Sequence, residues 1–258
     1  MIEKLMSRSL RGQLALTGGA VLLSLIVGAI VMVITSPIIK GELDVWLWAE
    51  AYIALLQGAT GIAISFDPFS IEYKGPNGVI DTLVRSTPYI LGGLAVGLGF
   101  KAGLFNIGAQ GQFLMGALGA TAAGIALADA PSFIAVPLAL MAGMLFGALY
   151  GFIPGWLKAF TGAHEVVVTI MLNYIAIQII AWAVSEPLRA AGATFARTPD
   201  VGNAQLWVLG GSTGHLLHAG VILAFAAVPI MWWVLYRSTI GFEIRTVGAN
   251  PDAARYAG

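Results

Sequence analysis

The sequence predicts an all-α protein that crosses a membrane about six times, with one further segment that re-enters the bilayer or lies at its surface. Of the 258 residues, 58% are hydrophobic and only 10% are charged, whereas soluble domains carry about 25% charged residues. The mean hydropathy is +0.86. Apolar segments near the roughly 20 residues that a spanning helix needs recur along the chain.

The composition also excludes several classes of function. The formal net charge is zero, so no basic surface for nucleic acid is indicated. The chain has no cysteine, which removes disulfides, thiolate metal sites and cysteine nucleophiles. It contains no G-x-x-x-x-G-K-[ST] loop to hold ATP and no H-E-x-x-H zinc motif. We therefore expect a protein that is not an enzyme and has no cofactor or metal.

The first predicted span is Leu14–Thr35, which at 22 apolar residues is too long for the core of a cleaved signal peptide, about 7–15 residues. It is interpreted as a retained helix. The other predicted spans follow at intervals along the chain: Pro88–Phe100, which is short, Gln112–Ala128, Phe133–Leu157, Val166–Val184 and Leu216–Tyr236.

Asp44–Phe66 is apolar enough to enter the membrane, but Glu50 and Gln57 interrupt it. If this segment does not cross, eight of the 13 basic residues fall on one side with both chain termini: Lys4, Arg8, Arg11, Lys101, Lys158, Arg237, Arg245 and Arg255. Basic residues in short loops mark the cytoplasm. We therefore predict six spans, with both termini in the cytoplasm.

Glycines at helical spacing predict close packing between helices. Gly143, Gly147, Gly151 and Gly155 recur every four residues, and the pairs Gly93–Gly97 and Gly99–Gly103 repeat this spacing. Small residues allow helix backbones to approach each other closely in lipid. We interpret these glycines as bundle contacts.

Residues 100–112 combine glycines with Asn106, Gln110 and Gln112. Glycine costs about 1 kcal/mol relative to alanine inside a helix, and broken backbone at membrane depth occurs where it is buried or lines an aqueous cavity. The segment is interpreted as a break or re-entrant turn beside a polar pathway of the kind found in transporters. The alternative is an ordinary cytoplasmic loop anchored by Lys101.

In the span beginning HEVVVTIMLNYIA, Glu165, Thr169 and Asn173 are spaced by four residues and share a helix face. An asparagine at membrane depth should face protein or water, because facing lipid is costly. Two interpretations stay open: an interhelical hydrogen bond, or a polar contact in a solute pathway.

After Tyr236 the chain becomes polar and of mixed charge. Asn250 and Pro251 predict the cap and first turn of a short helix, with Asp252 favoured near its amino-terminal end. This helix would be presented to a cytoplasmic partner. A solvated loop is the alternative.

Three motifs carry a family resemblance. GFEIRTVGANPDAARYAG resembles the cytoplasmic coupling segment of bacterial ABC importer permeases of the branched-chain amino acid, ribose and nucleoside superfamily. GLFNIGAQGQFLMGALGA resembles the glycine-amide signature of these permeases, and EVVVTIMLNYIA is similar to their nucleoside and simple-sugar branch. The motifs occur in family order, and the similarity covers most of Ser86–Gly258.

The resemblance implies a permease subunit of the bacterial inner membrane that pairs with a second permease subunit, a cytoplasmic ABC ATPase and an external solute-binding lipoprotein. The transported solute would be small and neutral, a nucleoside first and a simple sugar as the alternative. The implied ATPase-coupling residues are Gly241, Glu243, Arg245, Gly248, Asn250, Pro251 and Ala254. The candidates for the substrate pathway are Asn106, Gln110, Gln112, Thr169 and Asn173.

These interpretations describe one permease domain over residues 1–258, with a cytoplasmic amino terminus (1–13), a membrane region (14–236) and a coupling segment (237–258). Family members continue through further spans after the coupling segment, so the resemblance implies a truncated permease fold or a short subunit. An ion-coupled secondary transporter is less favoured, because no carboxylate lies at the centre of a confident span. A membrane enzyme ranks lowest.

Overall fold

The computed structural model describes residues 10–66, 69–212 and 214–256, and these form helices with two short hairpins. The helices are α1 (Leu10–Lys40), α2 (Leu47–Thr60), α3 (Asn77–Lys101), α4 (Ala109–Ala126), α5 (Ser132–Thr161), α6 (Glu165–Ser185), α7 (Gly220–Arg237), α8 (Thr239–Ala249) and α9 (Pro251–Tyr256). Strands β1 (Ile62–Phe66) and β2 (Phe69–Tyr73) form one antiparallel hairpin, and β3 (Val208–Ser212) and β4 (His215–His218) form the other. The predicted all-α class is confirmed.

Five of the described helices are long and apolar enough to cross a bilayer: Leu14–Lys40 within α1, then α3, α5, α6 and α7. The predicted spans Leu14–Thr35, Phe133–Leu157 and Val166–Val184 fall inside three of them. The predicted span Gln112–Ala128 is the helix α4, which is not among the five by length and composition. Its first turn carries Gln110 and Gln112, and these two amides lower its hydropathy.

Two predicted boundaries were wrong. The helix predicted at Pro88–Phe100 begins eleven residues earlier, at Asn77, and continues through Pro88. Asp81 and Arg85 hid its first turns from a hydropathy criterion. The span predicted to begin at Leu216 begins at Gly220, because residues 215–218 pair with β3 as a strand. A short apolar run does not distinguish a strand from a helix.

The chain divides into two compact units between Thr82 and Leu83. In the first unit α2 packs against α1, and the Tyr52 hydroxyl donates to the Leu25 carbonyl over 2.6 Å, beside Gly28. The segment predicted as ambiguous, Asp44–Phe66, contains the 14-residue helix α2 and the strand β1. At 1.5 Å per residue α2 is about 21 Å long, shorter than the roughly 30 Å hydrocarbon core.

The second unit is built around α4, which packs against both α5 and α6. Most of its buried apolar side chains are alanines, with Tyr150 the largest of the buried apolar group: Ala135, Val136, Ala139, Tyr150, Ala176, Ala183, Ala190, Val221, Ala224 and Leu235. Large apolar side chains on the same helices are mostly exposed. Helices that pack against each other in lipid are expected to place small side chains at their contacts and large apolar side chains on the outside.

The predicted glycine packing is confirmed for most of α5. A Cβ on Gly143 would lie 3.1 Å from the Gly116 carbonyl oxygen, and one on Gly147 would lie 3.3 Å from the Gln112 carbonyl oxygen. Gly151 faces the Gln112 side chain. Gly155 meets no other group within 4 Å among the described residues. We call the contact of Gly116, Gly143 and Gly147 between α4 and α5 the glycine seam.

Candidate functional site

The helix break predicted near residue 100 is present. Helix α3 ends at Lys101 and α4 begins at Ala109, which leaves residues 102–108 outside either helix. Gly103 has a φ of +72°, a left-handed conformation that glycine adopts without steric cost. The Leu104 amide then donates back to the Gly99 carbonyl over 2.9 Å. We call residues 102–108 the helix break.

Asn106 ties the helix break to the first turn of α4. Its Oδ1 accepts from the Gly108 amide over 2.8 Å, and its Nδ2 donates to Gln112 Oε1 over 3.1 Å. The Asn106 side chain therefore uses both ends of its amide inside the protein. It satisfies backbone that no helix satisfies at this point.

Asn173 of α6 holds the same turn from the opposite side. Its Oδ1 accepts from the Gly111 amide over 2.8 Å, and its Nδ2 donates to the Ile107 carbonyl over 3.1 Å. The first amides of a helix lack intrahelical partners, so Asn173 acts as a cap supplied by another helix. We call Asn173, Ile107 and Gly111 the amide clasp. This geometry is the interhelical hydrogen bond of the two open interpretations, while a pathway role for Asn173 stays a prediction.

Thr169 lies one turn before Asn173 and is fully buried. Its hydroxyl donates to the Val166 carbonyl within α6 over 3.1 Å, so it uses its donor locally. A Cβ on Gly108 would lie 2.9 Å from Thr169 Cβ. Thr169 therefore packs against the helix break, which explains why Gly108 has no side chain there.

The two glutamines differ in what they leave available. Gln110 is exposed and makes no side-chain hydrogen bond within the described ranges. Gln112 is half-buried, and its Oε1 is taken by Asn106 while its Nε2 lies beside Gly151. Of the four predicted pathway residues with a side-chain amide, these two glutamines have an amide nitrogen without a hydrogen-bond partner within the described ranges.

Lys158 belongs to the site and was missed from the sequence. Its Nζ donates to the Gly103 carbonyl over 2.8 Å and pairs with Glu165 Oε1 over 2.8 Å. Lys158 lies in the last turn of α5 and Glu165 is the first residue of α6. A signal was present in the sequence: an oppositely charged pair seven residues apart, on either side of the Gly162 turn that joins the two helices.

The tail forms a sharp corner after α7. The Ser238 hydroxyl oxygen accepts from the Gly241 amide over 3.0 Å and begins α8 as its cap. A Cβ on Gly241 would lie 2.1 Å from the Val234 carbonyl oxygen, so only glycine fits without movement. The predicted cap at Asn250 is confirmed, because its Oδ1 accepts from the Asp252 and Ala253 amides at the start of α9.

The end of α8 lies directly on the helix break. A Cβ on Gly248 would lie 2.1 Å from the Lys101 carbonyl oxygen, and one on Gly103 would lie 3.1 Å from Gly248 Cα. The two backbones are therefore in contact. The predicted coupling segment and the predicted pathway segment meet at this point.

The predicted coupling residues divide into an inward and an outward group. Arg245 is inward: its Nε donates to the Gly241 carbonyl over 3.2 Å, and its guanidinium lies 5.1 Å from the Tyr236 ring centroid. Glu243 and Pro251 are exposed, and Ala254 is half-buried. Helix α8 also carries three exposed apolar side chains, Ile240, Phe242 and Val247.

Five candidate spans, a clasped helix break and a tail helix seated on that break define a multi-pass helical membrane protein. Comparison with protein families identifies the particular group. Residues 78–258 match the family described as branched-chain amino acid transport system / permease component, and the chain belongs to this family.

Individual relatives were also found. The chain is 39% identical over 240 residues to the guanosine ABC transporter permease protein NupP of Bacillus subtilis, and 32% identical over 254 residues to the nucleoside ABC transporter permease protein NupB of Lactococcus lactis. Each alignment covers 93% of this chain and 62% of the relative. The glucose ABC transporter permease protein TsgB13 of Haloferax volcanii is 36% identical over 78% of this chain and 57% of its own length.

The chain thus spans about three fifths of the length of the relatives it matches. No solved structure matches it.

Proposed function

We propose that the chain is part of the membrane permease subunit of an ABC importer that carries nucleosides into a bacterial cell. ATP is hydrolysed on a separate cytoplasmic subunit, and the permease subunit itself is not catalytic. It lies in the plasma membrane with its amino terminus in the cytoplasm. The observation that carries the proposal is the seating of Gly248 on Lys101, since it joins a coupling-like tail directly to a polar helix break.

The exposed face of α8 supports docking of an ATPase. Ile240, Phe242 and Val247 expose apolar surface near the Glu243 carboxylate, and these residues lie on the helix that follows the last candidate span. In this proposal the same importer contains a second permease subunit and an external solute-binding lipoprotein. The lipoprotein delivers the solute to the side of the membrane opposite α8.

The glutamines support a neutral, hydroxyl-rich solute. A primary amide both donates and accepts hydrogen bonds, as do the ribose and base of a nucleoside. Asn106 and Asn173 are engaged by the chain itself, so Gln110 and the Nε2 of Gln112 are the proposed solute contacts. The nucleoside assignment is supported by the similarity to the guanosine and nucleoside permeases. A simple sugar is the second candidate, supported by the similarity to the glucose permease.

The test uses the full-length protein reconstituted in liposomes with its neighbouring permease, ATPase and lipoprotein subunits. Labelled guanosine should enter only when ATP is present on the ATPase side, and excess nucleoside should block this uptake while glucose should not. Block by glucose alone would select the sugar candidate. Uptake that survives ATP depletion and collapses with the ion gradient would contradict the proposal and indicate a secondary transporter.

Charge reversal on α8 tests the docking surface. Glu243→Lys should slow ATPase association and change its salt dependence, as expected for an interface charge, with unchanged thermal unfolding of the permease. Glu72→Lys on the exposed β2 strand is the matched control and should have no effect. Arg245→Glu should also impair uptake, but by loosening the corner between α7 and α8. Normal ATPase association in Glu243→Lys would contradict the assigned surface.

A further inference from the structure

Lys101–Gly103, which we call the relay segment, is contacted by two groups that are far apart in the chain. One is the end of α8, and the other is the Lys158 ammonium. Neither contact is part of the amide clasp, which begins four residues later at Ile107. The relay segment therefore stands between the tail and the clasp.

The contact with α8 is made by backbone. Beyond the Lys101 oxygen, a Cβ on Gly248 would lie 2.8 Å from both the Ala102 carbonyl carbon and the Gly103 nitrogen. Flexible side chains absorb small displacements by changing rotamer, but two backbones in contact have no such freedom. A movement of α8 toward α3 must therefore displace the relay segment.

The contact with Lys158 carries the displacement toward α6. Lys158 holds the Gly103 carbonyl and at the same time pairs with Glu165 at the first residue of α6. Asn173 lies eight residues further along that helix, about 12 Å away. Helix α6 thus holds the helix break at both ends, at Gly103 through Lys158 and at Ile107 and Gly111 through the clasp.

We propose that the relay segment transmits movement of α8 to the helix break, and that Lys158 is the positioning residue that connects it to α6. This inference rests on the proposed function, because it gives Lys158 a part in linking ATP hydrolysis to solute movement. Lys158 does not contact the solute. Its side chain is 36% exposed and that of Glu165 is 20% exposed, and ion pairs of this kind contribute little to folding.

The first experiment measures solute transported per ATP hydrolysed in the reconstituted full-length importer. Lys158→Met should lower this ratio about fivefold or more, the range of measured coupling between sites, while ATPase activity and thermal unfolding remain near wild type. Lys158→Arg keeps a cationic donor and should restore most of the ratio. A wild-type ratio in Lys158→Met would overturn the proposal.

Lys101→Met is the matched control. Lys101 is exposed, lies in the relay segment itself, and makes no side-chain hydrogen bond or ion pair within the ranges that the structure describes. Its substitution removes the same charge from the same neighbourhood without removing the Gly103 bond. It should leave the ratio unchanged. An equal loss in both variants would mean that charge alone matters, and would overturn the role given to Lys158.

The second experiment does not depend on transport. Amide hydrogen exchange of residues 104–112 is followed in the full-length permease without its ATPase. Lys158→Met and Gly248→Ala should each raise exchange by at least about fivefold at the Gly108 and Gly111 amides. Gly155→Ala should not, because the added Cβ meets nothing within 4 Å among the described residues. Unchanged exchange in both variants would overturn the proposal. A wild-type importer that fails to transport with ATP would instead contradict the proposed function.

Discussion

Two sets of glycines with the same spacing have different surroundings in this protein. On α5, a Cβ added to Gly143 or to Gly147 would lie within 3.3 Å of the α4 backbone. On α3, Gly93 and Gly97 have the same four-residue spacing, yet an added Cβ would meet nothing within 4 Å among the described residues. The predicted bundle contact is thus present for the first set and absent from the described structure for the second.

The difference shows that a glycine repeat specifies a smooth helix face and not a partner. The α5 repeat faces a second run of small residues on α4, and both helices approach closely there. The α3 repeat has no such counterpart in the described chain. We therefore expect a large side chain to destabilise the protein at the α5 glycines and not at the α3 glycines, and substitution of these glycines tests this.

The largest expected effect comes from filling the glycine seam. Gly143→Leu should lower the free energy of unfolding by about 1–3 kcal/mol or more, because a side chain there must push α4 and α5 apart. Gly97→Leu on α3 should change it by less than about 0.5 kcal/mol. Denaturant unfolding of the detergent-solubilised full-length protein measures both. Equal destabilisation by the two variants would contradict the difference in packing between the α5 and α3 glycines.

The next effect concerns the hydrogen bonds that Asn173 of α6 makes to the helix break and the first turn of α4. Asn173→Ala should cost about 1–3 kcal/mol, because it leaves the Gly111 amide and the Ile107 carbonyl without their partner. Thr169→Val on the same helix face removes only a local bond within α6 and should cost less. The same unfolding measurement ranks them, and a larger loss for Thr169→Val would contradict the clasp.

A third variant tests the contact between α5 and α6, which uses a polar bond where the seam uses glycine. The buried Tyr150 hydroxyl donates to the Leu172 carbonyl over 2.6 Å. Tyr150→Phe should cost about 1 kcal/mol, the usual net value of a hydrogen bond, and should leave the seam intact. Tyr89→Phe, at an exposed position, is the control and should leave the free energy of unfolding unchanged. Loss comparable to Gly143→Leu would mean that the polar bond, and not the seam, dominates.

The smallest expected effect lies outside the spans and depends on pH. The pKa of Asp200 is held below its ordinary value, first by the Gly202 amide and then by the Gln205 side chain. A lowered folded-state pKa stabilises the loop at neutral pH, and this stabilisation is lost as pH falls below about 4. The protection of the amides of residues 198–206, expressed relative to the intrinsic exchange rate at each pH, should fall over this window, and Asp200→Asn should abolish the change. A persistent change in that variant would exclude Asp200.

The fold was predictable where a single helix carries its own signal. Apolar length located α1, α5 and α6, and the Asn250–Pro251 pair located the start of α9. Boundaries failed where charge or strand pairing intervened, at Asn77 and at residues 215–218. The hairpins were not predicted, because four or five apolar residues fit either a strand or the end of a helix.

The candidate site was predictable in its residues but not in their bonds. Spacing placed Asn173 on a face directed at protein or water, and composition marked Asn106 and Gln112 as unusual. Neither observation could show that Asn173 reaches Gly111, 62 residues earlier. Lys158 was overlooked for the same reason, since its partner Gly103 is 55 residues away and offers only a carbonyl.

The amide clasp also has a consequence for biosynthesis. Its two bonds join positions 62 and 66 residues apart, a stretch that a ribosome needs about 3–12 s to translate at 5–20 residues per second. During that interval the start of α4 has been synthesised while residue 173 has not. The amide clasp therefore cannot form until α6 has been made, and until then the Gly111 amide lacks the partner that Asn173 supplies.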